Sequence, residues 1–236
     1  MHTFYTPSLT LPLHVLDGEE AEHAVRVLRV RPGEAVECVD GRGGRYVGRV
    51  EEVTKRSCAL RLEAAPAESV LNPALVLVVA PTKSTDRFEW LLEKATELGV
   101  SAVQPVWTAR SERRMEKFDR WERILVAAMK QSRQAYLPDL RPAVGFAAWC
   151  ASPEASDLRG YIAHCLPGPK PHLLAAARSA GPAASWVAIG PEGDFTPEEV
   201  ASAVAAGAVA VSLGSTRLRT ETAGVAAVHA FRLAAE

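Results

Sequence analysis

The stretch that decides the fold is LVLVVA at residues 75–80, a continuous apolar run. Such a run is typical of a β-strand that is buried on both faces of a parallel sheet. A helical pattern follows the run, with apolar residues at helical spacing: Phe88, Leu91, Leu92, Ala95 and Leu98. Gly99 then provides a stop.

The same alternation continues to the end of the chain. Strand-like runs occupy residues 102–107, 161–166, 185–189 and 209–213, and helical patterns lie between or after them, including a final helix at 221–234. Pro105 predicts that the strand at 102–107 is an edge strand or is bent. The sequence TPEE at 196–199 predicts a helix start with a capping box. Together these patterns predict an α/β fold with a parallel sheet.

The sequence pattern before residue 73 is different. Short apolar runs at 36–39, 46–50 and 58–62 are separated by turn signals, and Asp40-Gly41 predicts a hairpin. A short helix is expected at 19–28. We predict a small β-barrel-like domain at residues 1–68, a linker at 64–72 and the α/β domain at 73–236.

Composition restricts the class of protein. The 236 residues are 48% hydrophobic and carry a formal net charge of −1, which allows a core and excludes a uniformly basic nucleic-acid coat. The four cysteines, at 38, 58, 150 and 165, have no metal-site or disulfide spacing. No stretch is long and apolar enough to span a bilayer. We expect a reduced cytoplasmic protein with no membrane association and no metal.

Two turns between a predicted strand and a predicted helix are candidate ligand loops: IGPEGDF at 189–195 and LGSTRLRTETA at 213–223. In parallel α/β sheets, ligands bind beyond the carboxyl ends of strands. Glycines in the first turn allow close backbone approach to an adenine edge or a ribose, although an ordinary turn uses the same residues. In the second turn, Arg217 and Arg219 precede a helix start, where cations do not stabilise the helix. They are candidate partners of an RNA phosphate or base.

Several segments together resemble one family. Besides the two turns, they are EKATELGV at 93–100, QSR at 131–133 and HAVRVLR at 23–29. In order and over nearly the whole chain, they resemble the SPOUT methyltransferases, in particular the RsmE-type family that methylates N3 of a uridine in bacterial 16S ribosomal RNA. Asp194 departs from that family, in which a second glycine is more usual.

The resemblance implies a PUA-like first domain that contacts RNA, a trefoil knot, a homodimer and S-adenosylmethionine as cofactor. Arg219 and Arg217 are the candidates that stabilise the uridine anion, and Glu192 and Glu221 are candidate proton acceptors. The expected cofactor-binding residues are Leu166, Ile189, Gly190, Pro191, Glu192, Gly193, Leu213, Gly214, Leu218, Arg219, Thr220, Thr222 and Ala223. The expected RNA-binding residues are Arg26, Arg29, Arg31, Arg42, Arg45, Lys83, Arg110, Arg113 and Arg133.

Two alternative functions are compatible with parts of the sequence. A non-catalytic RNA-binding or ribosome-assembly factor would use the same two domains but would form no methylated product. A nicotinamide dehydrogenase is disfavoured, because the glycine cluster Gly41, Gly43 and Gly44 lies between strands rather than before a helix.

Overall fold

The computed structural model describes residues 1–67, 73–112 and 116–236, so Arg113 and much of the predicted linker lie outside the described residues. The chain forms two compact units. The first comprises Met1–Val70 and Met129–Leu137, and the second comprises Leu71–Ala128 and Pro138–Glu236. Residues 129–137, including Arg133, therefore belong to the first unit, although the sequence-based boundary placed them in the second domain.

The first unit is built on a five-stranded mixed sheet in the order β1-β3-β4-β5-β2. Its strands are β1 (His2–Tyr5), β2 (Leu13–Leu16), β3 (Ala35–Val39), β4 (Arg45–Val53) and β5 (Cys58–Ala64). β1 pairs with β3 in parallel, and the other pairs are antiparallel. The hairpin predicted at Asp40-Gly41 is confirmed, since it joins β3 to β4 with Val39 opposite Arg45.

The predicted helix at 19–28 is present in two parts. An α-helix, α1, covers Gly18–Glu22, and π-helical turns continue over His23–Leu28. The helical stretch ends at Arg29, whose φ of 54° is left-handed. Ala21 and Ala24 face a core that includes Phe4, Leu16, Val36 and Leu60. Burial of this helical face holds the segment against the sheet.

The second unit is built on a parallel sheet in the order β12-β10-β11-β6-β7-β8, with β9 also paired to β7. Its strands are β6 (Leu75–Val79), β7 (Ala102–Trp107), β8 (Asp139–Leu140), β9 (Val144–Gly145), β10 (Arg159–Ala163), β11 (Ser185–Ile189) and β12 (Val209–Val211). Every residue of β6 and β11 is buried, as the apolar runs predicted. The parallel α/β sheet is confirmed.

Of the two expectations for β7, an edge strand or a bend, the edge strand is wrong. β7 lies between β6 on one side and the two short strands β8 and β9 on the other. β8 pairs with Ala102 and Val103, and β9 pairs with Val106 and Trp107. Pro105 thus falls in the gap between these two pairings, where its missing N–H interrupts no ladder on that side.

Seven helices of the second unit lie within the described residues. They are α2 (Thr85–Glu97), α3 (Phe118–Gln131), α4 (Phe146–Cys150), α5 (Pro153–Asp157), α6 (Leu173–Ala180), α7 (Pro197–Ala205) and α8 (Thr220–Ala235). The predicted capping box of α7 is confirmed, because the Thr196 hydroxyl accepts from the N–H of Glu199 at 3.2 Å. None of the helices in the described ranges has the length and apolarity that a membrane crossing requires.

Alternate residues of β6 face opposite sides of the sheet. Val76, Val78 and Trp186 join residues of α4, α5 and α7 in one core, and the Trp186 indole donates to the Ala155 carbonyl at 3.0 Å. α8 packs against both α2 and α6. At Gly224 of α8 an added Cβ would lie 2.6 Å from Leu91 Cδ1 of α2. The small residues at the start of α8 therefore allow close helix packing within the chain.

Candidate functional site

A cavity of about 620 Å³ lies where the chain leaves β10, β11 and β12. That size is within the range of small-molecule sites, roughly 300–1,000 Å³. Both predicted ligand turns line it. The predicted site residues that it brings together are Ile189, Gly190, Pro191, Glu192, Leu213, Gly214, Arg217, Leu218, Arg219, Thr220 and Ala223.

A hydrogen bond joins the two turns directly. The Thr220 hydroxyl donates to the Gly190 carbonyl at 3.0 Å, across 30 residues of sequence. Thr220 is 5% exposed, and the N-cap of α8 is Arg219 rather than Thr220. The hydroxyl therefore fixes one turn against the other instead of capping its own helix.

Glycines meet two different needs in the cavity wall. At Gly190 an added Cβ would lie 3.1 Å from the backbone nitrogen of Phe195, so this position requires a close approach between two backbone segments. At Gly214 the φ of 122° is what restricts the residue type, because no atom lies near an added Cβ. Side chains other than hydrogen strain such a backbone.

The cavity wall carries both signs of charge. Arg217 and Arg219 are exposed, and within the described residues their guanidinium groups make no hydrogen bond or ion pair with the protein. Glu192 is also exposed, and its Oε1 accepts from the backbone N–H of Lys83 at 3.0 Å. Two guanidinium groups are thus open to a ligand beside a carboxylate whose position is set by a backbone donor.

Four predicted site residues are not part of the cavity wall: Leu166, Gly193, Thr222 and Glu221. Leu166 packs against an apolar core, and the Gly193 carbonyl accepts from Arg110 at 2.6 Å. Glu221 is 8% exposed and its carboxylate lies 3.7 Å from the Arg87 guanidinium of α2. The first turn of α8 rotates Glu221 away from the cavity, because adjacent helical residues point about 100° apart.

Sequence reasoning missed most of the loop after β10. Ala163, His164, Cys165 and Lys170 line the cavity, as does Asp194. Burial and the neighbouring Lys170 lower the pKa of His164, whereas Asp194 acts in the opposite direction. Burial, followed by the charge of Asp194, raises the pKa of the Cys165 thiol. The signal that would have found this loop is strand order, since β10 lies between β11 and β12.

The predicted RNA-binding arginines between residues 26 and 45 fall into two groups. Arg26 pairs with Glu22 at 2.5 Å, Arg42 donates to the Pro7 carbonyl at 2.6 Å, and half-buried Arg45 pairs with Glu37 at 2.8 Å. Arg29 and Arg31 are exposed, and their guanidinium groups make no hydrogen bond or ion pair within the described part of the chain. Arg29 and Arg31 therefore keep their donors available to an outside anion.

The remaining predicted RNA-binding residues are dispersed. Lys83 pairs with Glu112 at 2.6 Å, and Arg110 donates to the Gly193 carbonyl beside the cavity. Arg133 is exposed and has a left-handed φ of 58°, and its carbonyl accepts from Arg45. Arg113 lies outside the described residues.

Comparison with known proteins agrees with this architecture. A family model described as an RNA methyltransferase domain matches residues 70–232, and one described as an RNA methyltransferase PUA domain matches residues 16–63. The α/β unit with its cavity and the preceding mixed-sheet unit thus define an RNA methyltransferase domain preceded by a PUA domain.

Similarity to individual proteins identifies the family more narrowly than the domain models do. A protein of Mycobacterium bovis named ribosomal RNA small subunit methyltransferase E is 31% identical, over 96% of this chain and 89% of its own. A solved structure of the protein of that name from Neisseria gonorrhoeae, bound to S-adenosylmethionine, is 30% identical with a TM-score of 0.81, covering 98% and 96% of the two chains. A methyltransferase of Legionella pneumophila in complex with the same cofactor is 27% identical, with a TM-score of 0.87 over 99% and 97%. The chain belongs to the ribosomal RNA small subunit methyltransferase E family.

Proposed function

We propose that this protein transfers a methyl group from S-adenosylmethionine to N3 of a uridine in 16S ribosomal RNA. One observation carries the proposal. The two glycine-bearing turns meet in a single cavity, joined by the Thr220–Gly190 hydrogen bond, and the same cavity is lined by Arg217 and Arg219, whose guanidinium groups make no ion pair within the described residues. Membership of the family supplies the class of substrate.

The cavity suits the cofactor in size and in lining. Its lining includes four apolar residues of the two turns, Ile189, Pro191, Leu213 and Leu218. Backbone N–H and C=O groups next to Gly190 and Gly214 are able to recognise an adenine edge or a ribose. When bound there, S-adenosylmethionine supplies an electrophilic methyl group attached to a sulfonium, and no metal is needed for its transfer.

Arg219 is the candidate catalytic residue and Arg217 is the second candidate. A uridine nitrogen becomes a good nucleophile when its N3–H proton leaves, which places negative charge on O2 and O4. A guanidinium aimed at one of these oxygens stabilises that charge in a site from which water is partly excluded. Both arginines have the freedom to do so, because neither is engaged by a protein carboxylate in the described residues.

Glu192 is the candidate proton acceptor. It lines the cavity, and the hydrogen bond from the Lys83 backbone fixes one of its oxygens while the other can face a ligand. A carboxylate within hydrogen-bond reach of N3–H is able to take the proton as the methyl group arrives. Glu221 is not proposed for this role, since its carboxylate faces Arg87.

RNA is held, in this proposal, partly by the first unit. Arg29 and Arg31 contact phosphates and position the strand without reading its sequence, and the family model for this region is that of an RNA methyltransferase PUA domain. The target base leaves its stack so that N3 reaches the methyl group. We further propose that the protein acts as a cytoplasmic homodimer on RNA of the small ribosomal subunit. The trefoil knot implied by the family resemblance stays a prediction.

Two measurements test the function. Isothermal titration with S-adenosylmethionine should give saturable binding, and nucleoside mass spectrometry of 16S RNA treated with the protein and cofactor should show 3-methyluridine. Tight RNA binding with neither cofactor binding nor methylated product would instead identify a non-catalytic RNA-binding or assembly factor. A methylated base other than uridine would retain the cofactor assignment and overturn the substrate.

A further inference from the structure

Asp194 adopts a backbone conformation that most residues avoid. Its φ of 64° is left-handed, and only two other non-glycine residues of the described chain, Arg29 and Arg133, share that feature. Aspartate tolerates this region better than most side chains, but glycine adopts it without strain. A non-glycine residue with such a backbone on a cavity wall indicates that its side chain has a role there.

The Asp194 carboxylate bridges two loops. Its Oδ2 accepts from the backbone N–H of Cys165 at 2.7 Å, and its Oδ1 accepts from the backbone N–H of Phe195 at 2.8 Å. Its own N–H donates to the Pro191 carbonyl at 2.9 Å, which closes the turn after β11. Cys165 lies in the loop after β10, so one side chain connects the turn after β11 to the loop beside it.

Both connected segments form the cavity wall. Cys165, His164 and Lys170 line the cavity from the loop after β10, and Pro191 and Asp194 line it from the turn after β11. Two other hydrogen bonds lie within the loop after β10. The Leu166 N–H donates to His164 Nδ1, and Lys170 Nζ donates to the Leu166 carbonyl. They shape the loop but do not attach it to its neighbour.

We propose that Asp194 is a positioning residue that fastens the loop after β10 to the turn after β11 and so holds the cavity in the shape its ligand needs. The proposal rests on the proposed function only for the identity of that ligand. Hydrogen bonds to an ionised acceptor are stronger than neutral ones, which suits a carboxylate to this task. A glycine at position 194 would relax the backbone and release the loop.

Cys165 offers a reporter of this connection that needs no ligand. It is exposed, whereas Cys38, Cys58 and Cys150 are buried, so a thiol reagent such as DTNB should label Cys165 selectively in the folded protein. Burial raises the pKa of the Cys165 thiol, the Asp194 charge raises it further, and Arg217 and Lys170 oppose this effect. Removal of the carboxylate therefore increases the thiolate fraction, and release of the loop increases access.

Three variants of the full chain separate the contributions. Asp194→Gly removes both hydrogen bonds and the charge but accepts the left-handed backbone. Asp194→Asn tolerates that backbone and keeps one carbonyl acceptor without the charge. Asp157→Asn is the matched control, because Asp157 is an exposed acid of the same unit that does not line the cavity.

We expect the labelling rate of Cys165 to increase in the order wild type, Asp194→Asn, Asp194→Gly, and amide hydrogen exchange at Cys165 to follow the same order. The affinity for S-adenosylmethionine should fall by about tenfold in Asp194→Gly, the equivalent of one lost charge-assisted hydrogen bond. The KM for the cofactor should rise, whereas kcat and the KM for RNA should stay unchanged. Asp157→Asn should match the wild type throughout.

The outcomes are separable. Unchanged labelling, exchange and cofactor affinity in Asp194→Gly would overturn the proposal. Labelling of Cys150, the buried cysteine of the same unit, in parallel with Cys165 would show that the variant loosens the whole unit, which would also overturn the proposal. Failure of the wild type to bind the cofactor would refute the proposed function, whereas the labelling and exchange order would still test the connection.

Discussion

The arginines of the cavity and those of the first unit look alike in sequence and differ in structure. Arg217 and Arg219 lie close together, as do Arg26, Arg29 and Arg31. In the cavity both guanidinium groups are without a hydrogen bond or ion pair in the described residues. In the first unit, Arg26, Arg42 and Arg45 are each bound to a carboxylate or a carbonyl of the protein, whereas Arg29 and Arg31 resemble the cavity pair in having no such partner in the described residues.

The difference teaches that available charge, not the number of arginines, identifies a ligand site. An arginine whose fork is satisfied within the protein holds structure together, and its removal leaves a partner unsatisfied. An arginine with no internal partner retains its donors for an anion.

The largest effect is expected from Arg219→Ala in the cavity. Loss of a group that stabilises charge in the transition state should lower the single-turnover methylation rate by about 100- to 1,000-fold. The affinity for S-adenosylmethionine, measured by titration calorimetry, should stay close to that of the wild type. Arg123→Ala, an exposed arginine of α3, is the control and should keep full activity. A fully active Arg219→Ala enzyme would remove this residue from catalysis.

Arg45→Ala should affect stability rather than chemistry. It removes the partner of Glu37, whose side chain is only 12% exposed, and also the donor to the Arg133 carbonyl. The free energy of unfolding in urea should fall by about 1–3 kcal/mol, with RNA affinity of the folded protein unchanged. If RNA binding is lost with stability intact, Arg45 belongs to the available group instead.

Thr220→Val separates the two turns without changing the size of the side chain. The Gly190 carbonyl loses its hydroxyl donor, and we expect the dissociation constant for S-adenosylmethionine to rise by about tenfold. Thr220→Ser keeps the hydroxyl and should restore the affinity in calorimetry. Equal affinity in the valine variant would mean that other contacts hold the turns together.

The smallest effect is expected from Arg29→Ala combined with Arg31→Ala. Removal of two phosphate contacts should reduce the slope of log affinity against log salt concentration by about 1.4–2. The loss of affinity should be the same for RNAs of different sequence. Stability should stay within about 0.5 kcal/mol, because neither guanidinium has a protein partner in the described residues. An unchanged salt slope would separate these two residues from the RNA surface.

Much of the fold and part of the site were accessible from the sequence. The apolar run at 75–80 identified β6, the capping sequence at 196–199 identified the start of α7, and the two glycine turns identified most of one wall of the cavity. Each of these signals is carried by residues within a few positions of one another. The edge strand predicted from Pro105 is wrong, because an interior strand can hold this proline where the pairings with β8 and β9 leave a gap, which no local pattern reveals.

The orientation of Glu221 and the role of Asp194 also escaped prediction. Glu221 is next to Thr220 in sequence, yet one points toward Arg87 and the other toward Gly190. In the sequence, Asp194 only departs from the glycine that is more usual in the family. Its role becomes visible when the structure shows its hydrogen bond with Cys165, 29 residues earlier. In both cases the deciding partner is distant along the chain.

Local sequence patterns indicated the class of the domain, many of the elements of secondary structure and the two turns that line the cavity, because periodicity and turn chemistry act over short stretches of chain. Only the tertiary structure decided that β10 lies between β11 and β12, that its loop joins the cavity, and which arginines keep their donors free. Strand order and side-chain pairing depend on contacts such as that between Lys83 and Glu192, 109 residues apart. Their free energy arises from packing the whole chain, which no local pattern contains.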